Sequence, residues 1–216
     1  MQIECFEFNM FGENTYIVFD TTSHECAIID PGMMVERERS IIDNFIKKNC
    51  LKPKFILLTH LHVDHVFGVS HFVEKYGLKV YGNLADAMLG SRIMEQVQMF
   101  HLPVQMAAIA IDENLSDGDK VNIGNETLLA IHAPGHSPGS LCYYSEKSGF
   151  VISGDVLFRH SIGRTDLPGG DYQTLIKAIQ KGLLTLPDKT TVLPGHGPKT
   201  TISEENQFNP YITYIC

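Results

Sequence analysis

Thr59-His60-Leu61-His62-Val63-Asp64-His65 follows the apolar run Phe55-Ile56-Leu57-Leu58. That run reads as a buried strand, bounded by Pro53 on one side and by the polar Thr59 on the other. On an extended segment, side chains two positions apart point the same way, so His60 and His62 can reach one metal ion together. Asp64 and His65 come directly after, and they can supply ligands to a second ion if the chain turns into a helix there. Imidazole nitrogen and carboxylate oxygen are the donors that Zn²⁺ and its borderline neighbours accept. Four such residues within six positions, at the end of a strand, argue against a chance surface cluster.

Three later residues share that context. His136 lies in Ala133-Pro134-Gly135-His136-Ser137-Pro138-Gly139, Asp155 in Ser153-Gly154-Asp155, and His196 in Pro194-Gly195-His196-Gly197-Pro198. Each sits at or just beyond an apolar strand, with glycine beside it that lets backbone turn tightly and come close to a metal. Sheet proteins gather ligand sites in loops along one rim. Five histidines and two aspartates suit two ions that share one carboxylate. Of the other histidines, His24, His71, His101 and His132 read as surface or satisfied side chains. His160, close behind Asp155, is a candidate to face the cleft.

The ordered set His60-x-His62-x-Asp64-His65, His136, Asp155, His196 resembles the metallo-β-lactamase-fold hydrolases over nearly the whole chain. The resemblance implies a four-layer αβ/βα sandwich, a mixed α/β (α+β) fold, as one domain over 1–216. It assigns His60, His62 and His136 to a first divalent ion and Asp64, His65 and His196 to a second, with Asp155 bridging. Zn is the first expectation for both ions, with Fe and Mn as the other options. Gly163-Arg164-Thr165-Asp166 and Asn209-Pro210 are similar to the glyoxalase II group, which hydrolyses S-hydroxyacylglutathione thioesters such as S-lactoylglutathione. The expected mechanism is attack by a metal-bridging hydroxide, with Asp64 orienting it and holding its proton. The long form of that group adds a helical carboxy-terminal domain that helps to hold glutathione. About twenty residues follow His196 here, so weak glutathione selectivity is expected. The loops around 159–171 and 84–110 would then set the substrate preference. Arg164 and Asp166 are read either as a pair holding their loop or as substrate contacts. A lactonase and a mononuclear-iron sulfur dioxygenase are the rival activities. A β-lactamase is disfavoured by Asp155, a nuclease by the acidic balance, and a closed structural zinc site by the lack of cysteine in the set.

The 216 residues are 44% hydrophobic and 19% charged, with a formal net charge of −8. That suits one sizeable core and lacks the basic footprint of a nucleic-acid partner. The partner expected is a small-molecule thioester, with no nucleic acid and no membrane; oligomeric state is left open. Lys47, Lys48, Lys52 and Lys54 read as a solvated face. Met1–Met10 has no basic n-region, and the five cysteines (Cys5, Cys26, Cys50, Cys142, Cys216) show no C-x-x-C spacing, so a reduced, cytoplasmic setting is expected.

Strands are expected over 2–8, 16–19, 26–29, 54–58, 79–81, 127–133, 141–144, 150–153 and 190–193. Helices are expected over 35–49, with Ile41, Ile42, Phe45 and Ile46 inward, and over 66–76, ended by Gly77. A Met-rich helix capped by Asn83 should turn Leu84, Ala87, Met88 and Ile93 inward. A further helix is expected over 172–184, and a short one after a Thr201/Glu204 capping box. Residues 100–116 match neither period.

Overall fold

The computed structural model describes residues 1–213. Strand β1 (Gln2–Phe8) turns back into β2 (Glu13–Phe19), which pairs antiparallel with β3 (Glu25–Ile29). Helix α1 (Glu36–Lys48) crosses to β4 (Lys52–Leu57), and α2 (Val69–Tyr76) crosses to β5 (Lys79–Gly82), each new strand running parallel to the one before. Two short helices, α3 (Ala87–Ser91) and α4 (Ile93–Met99), precede β6 (Glu113–Asn114). These six strands form one sheet in chain order. The second sheet is antiparallel through β7 (Lys120–Ile123), β8 (Glu126–His132), β9 (Leu141–Ser145) and β10 (Phe150–Gly154). A small ribbon, β11 (Leu157–Phe158) with β12 (Ser161–Ile162), and α5 (Tyr172–Ala178) then lead to β13 (Thr191–Pro194), parallel to β10, and to β14 (Thr200–Thr201). Helices α6 (Ile202–Phe208) and α7 (Pro210–Thr213) follow.

The period-two pattern of the strands sorts their side chains into three cores. Ile17, Ile28 and Ile56 pack outward against Ile42 and Ile46 of α1 and Phe72 of α2. Val18, Ala27, Ile29 and Leu57 face the opposite way and meet Leu128, Ala130, Tyr143 and Ile152 of the second sheet. Ile131, Cys142, Val151 and Val192, on that sheet's other face, pack on Leu175, Ile176, Ile179 and Leu183. Two sheets face to face with helices on both outer sides make the expected four-layer sandwich.

Several local expectations change. Pro53 lies inside β4 rather than bounding it; the missing N–H is tolerated because the register opposite slips between Cys26 and Ala27. Ile41 is exposed, off the Ile42–Ile46 stripe. Residues 63–65 form one 3₁₀ turn, and α2 begins only at Val69. Asn83 does cap, accepting from the Ala85 N–H, but Leu84, Ala87 and Met88 are exposed while Ile93 is buried. The segment 172–184 splits into α5 and a π turn over Ile179–Leu183, with Leu175, Ile176, Ile179 and Leu183 buried. Thr201 Oγ1 accepts from the Glu204 N–H, but the Glu204 carboxylate turns to His160, so the capping box is half made. Strands β6, β7, β11, β12 and β14 are absent from the sequence reading; all but β7 are two residues long, too short to carry a period. Cys5, Cys26, Cys50 and Cys142 are free thiols, and Cys216 lies outside the described residues. No helix among the described residues is long and apolar enough to cross a membrane.

Candidate metal centre

The loops that carry the seven expected residues all leave the carboxyl ends of strands: β4 delivers His60 to His65, β8 His136, β10 Asp155, and β13 His196. Both sheets therefore supply the site from one edge. Two glycines make the approach possible. Gly154 has φ +49°, and a side chain there would run into Thr59; a side chain on Gly195 would collide with the Asp155 carboxylate and lie 2.8 Å from the His65 ring.

The seven side chains converge in two groups. In the first, His62 Nδ1 lies 2.8 Å from His136 Nε2, which lies 3.2 Å from His60 Nε2. In the second, His65 Nε2 is 3.3 Å from His196 Nε2, and Asp64 Oδ2 is 3.2 Å from the same His196 nitrogen. The Asp155 carboxylate stands between them, 3.4 Å from His65 Nε2, 3.7 Å from His136 Nε2 and 3.6 Å from His196 Nε2.

Hydrogen bonding on the far side of four of the five rings fixes the tautomer. His136 Nδ1 donates to the Arg164 carbonyl at 2.8 Å and His196 Nδ1 to the Phe11 carbonyl at 3.1 Å. His65 Nδ1 donates to Asp30 Oδ2 at 3.0 Å. Thr59 Oγ1 gives its proton to Asp30, so it accepts from His60 Nδ1 at 3.0 Å. All four rings thus turn an Nε2 lone pair inward; His62 turns Nδ1 inward, and its buried Nε2 has no partner. Lone pairs facing one another at these distances repel unless a cation sits among them. Nitrogens about 2.05 Å from one tetrahedral ion lie about 3.3 Å apart, so the residues fit divalent metals. Outer groups that fix tautomer and ring orientation are what metal-bound histidines ordinarily have.

The electrostatics agree. Burial, reinforced by the neighbouring imidazoles, holds His60 well below the usual histidine range and His62 down at about 3. Burial would also raise the Asp64 and Asp155 carboxyls, but the surrounding histidines outweigh it and both fall below their ordinary value. For His65 and His196 burial is outweighed by Asp64 and Asp155, which raise both; in the second group a proton takes the place of a cation.

Other residues in the site had no motif to mark them. Asp30 accepts from the Thr59 N–H at 2.7 Å and from Thr59 Oγ1 at 2.5 Å besides His65. With three donors satisfied, it orients the cluster rather than standing free as a ligand. Its signal was present, since Asp30-Pro31-Gly32 also ends a strand. Asn9 Nδ2 donates to the Gly32 and Asp64 carbonyls at 2.9 and 3.1 Å. Asp86 accepts from Leu61 N, Ser137 Oγ and Gly139 N, tying the first histidine loop to the His136 loop. Gln96 receives the Val63 N–H and donates to the Leu61 carbonyl, gripping the backbone on both sides of His62. Glu13 is fully buried, and burial raises its carboxyl well above the ordinary range.

His160 does not face the cleft: its Nε2 lies 2.8 Å from Glu204. Arg164 and Asp166 pair with each other on the surface at 2.7 and 2.8 Å. His71 pairs with Asp43 at 3.0 Å, and His132 bonds the Pro138 carbonyl at 2.9 Å. His24 and His101 occupy left-handed turn positions.

Comparison with known proteins places this geometry. A family model of the metallo-β-lactamase superfamily matches residues 9–196. The chain is 41% identical over 207 residues to the probable metallo-hydrolase YqgX of Bacillus subtilis (strain 168), covering 92% of each chain. It is 35% identical over 213 residues to the hydroxyacylglutathione hydrolase GloC of Haemophilus influenzae (strain ATCC 51907 / DSM 11121 / KW20 / Rd), covering 98% of each. Among solved structures it is similar to the B3 metallo-β-lactamase BLEG-1, with TM-score 0.89, 34% identity, and coverage of 98% of this chain and 100% of that one. It is also similar to TTHA1623 in a di-iron-bound form, with TM-score 0.85, 35% identity, and coverage of 97% and 100%. On the family match, the fold and the His-rich site, the chain belongs to the metallo-β-lactamase superfamily, as a metallo-hydrolase.

Proposed function

We propose that the protein is a dinuclear metal-dependent hydrolase that cleaves thioesters of the S-lactoylglutathione type. The observation that carries the reading is the position of Asp155, within 3.4–3.7 Å of histidine nitrogens from both groups. A carboxylate so placed suits two cations rather than one. His60, His62 and His136 would hold the first, Asp64, His65 and His196 the second, and Asp155 both. Zn is the first choice; the di-iron form of TTHA1623 keeps iron open.

Two divalent cations held there would supply Lewis acidity and a water acidified toward neutrality. The remaining work falls to the chain. Asp64, ionised and held to His196, orients the attacking water and takes up its proton. Asp30, Thr59, Arg164 and Phe11 lock the imidazoles, so the ligand geometry is set before substrate arrives. The departing thiol has an ordinary pKa near 8.5, so its thiolate leaves without a strong general acid. The substrate is a small molecule; the net charge of −8 disfavours a nucleic-acid partner, and in this reading the reaction belongs to the cytoplasm and to one domain over 1–216.

The test is metal analysis of the purified protein together with a panel of S-lactoylglutathione, a short acyl thioester of another thiol, an acyl lactone and a β-lactam. Close to two ions per chain with thioesters turned over fastest is expected. A lactone preferred a hundredfold or more would make it a lactonase, and β-lactam cleavage as fast as thioester cleavage would move it toward BLEG-1. One iron with oxygen uptake would make it a dioxygenase.

A further inference from the structure

A pocket of about 120 Å³ opens directly beside His62. Its walls are Met88 and Leu89 of α3, Met99 at the end of α4, Phe100 just beyond, and Leu167-Pro168 from the loop that precedes α5. Met88 and Met99 are 64% and 52% exposed, large thioethers held in water at the edge of the ligand cluster. The charged side chains on the wall, Arg92 and Glu95, are exposed and lie 3.8 Å apart, a solvated pair of opposite sign at the rim that leaves the rest of the lining apolar. His62 belongs both to this wall and to the first ligand group, which makes the pocket continuous with the place where a scissile carbonyl would sit.

We propose that this pocket takes an uncharged, apolar substituent of the scissile carbonyl, a chain of several carbons larger and less polar than a lactoyl group. This rests on the hydrolase reading and narrows its substrate. Burying such a chain removes both its surface and the exposed Met88 and Met99 surface from water, and methionine adapts its shape to chains of different length. The same apolar chemistry can belong to the acyl group or to the thiol, and the arms of the test separate them.

The metal-loaded protein is titrated calorimetrically with linear carboxylates from propanoate to octanoate, and separately with the matching 1-alkanethiols. Affinity is expected to rise about fourfold per added methylene, the effect of burying one CH₂, in at least one series. The series that shows the slope names the side of the substrate that enters. Met99→Asp and Met88→Asp change exposed positions and should leave the fold intact, and both should flatten the slope. Flat affinity in both series, or a slope that neither variant changes, overturns the proposal. The slope needs no turnover. A slope without thioester hydrolysis keeps the pocket and removes the thioester reading; thioester hydrolysis with flat binding keeps the reading and removes the pocket.

Discussion

Asp155 contacts both histidine groups, and its buried Oδ1 has no hydrogen-bond partner. If it holds two cations, Asp155→Ala should reduce metal content from about two ions per chain to one or fewer and lower hydrolysis by at least about 100-fold. Elemental analysis beside a thioester assay checks both, and full activity in the variant would remove the shared carboxylate. The histidines also set how the metal-free protein responds to pH. His60 and His62 are depressed, His62 to about 3. Below the unfolded value of about 6.5 the unfolded chain therefore binds more protons than the folded one, and stability falls as pH falls. His65 and His196 are raised; their contribution is complete below that value and is lost as pH rises through their folded pKa values. From these four residues the metal-free protein should be most stable near pH 6.5. Chemical denaturation of chelated protein from pH 4.5 to 9 should show the midpoint falling on both sides, and His62→Asn should weaken the acid limb.

Helices α3 and α4 look unremarkable as elements, yet they connect the pocket to the cluster. Their exposed face carries Met88 and Met99, while Gln96 and the preceding Asp86 reach inward to the loops of His62 and His136. The Asp86 carboxyl is raised by burial, against the three donors that favour its charge. Asp86→Ala would strand Leu61 N and Gly139 N, while Ser137 Oγ keeps Ser140 Oγ. A loss of about 3 kcal/mol, or about 6–12 °C in melting temperature for a chain of this size, is expected in thermal unfolding. Asp86→Asn keeps the shape and should recover part of it. This segment was also the hardest to read from sequence. Leu84, Ala87 and Met88 match a helical period and read as inward; the chain breaks into two helices at Arg92, which rotates the apolar positions out of phase and leaves Met88 on the exposed wall of the pocket.

Across the whole molecule, loops from both sheets meet at one edge, so cations there should tie the two halves together. Ions held at about a thousand times their dissociation constant add about 4 kcal/mol each to folding stability. Chelation should then lower the melting temperature by about 8–16 °C per ion, and excess Zn²⁺ should restore it. An unchanged melt after complete metal removal, verified by elemental analysis, would show that the cluster contributes nothing to holding the sheets.

The sequence by itself determined where most of the strands lie and which residues gather in the candidate metal centre; the four layers followed from the family resemblance. The short apolar runs of β2, β3, β4, β8 and β9 are a local property that marks buried strands, while the face each side chain takes was decided by packing. His60-x-His62-x-Asp64-His65 and the glycine-flanked His136, Asp155 and His196 were legible because a metal demands particular donor atoms at tight turns, and both leave a mark in the residue types. Tertiary structure alone decided the rest. Asp30, Asn9, Asp86 and Gln96 act through hydrogen bonds spanning 23 to 55 positions, and a single polar residue carries no sign of its distant partner. His160 stood near Asp155 in sequence, yet the β11–β12 ribbon carries it to Glu204. The apolar pocket came from the packing of α3 and α4 against the loop at Leu167, because a methionine's letter is the same whether it fills a core or lines a cleft.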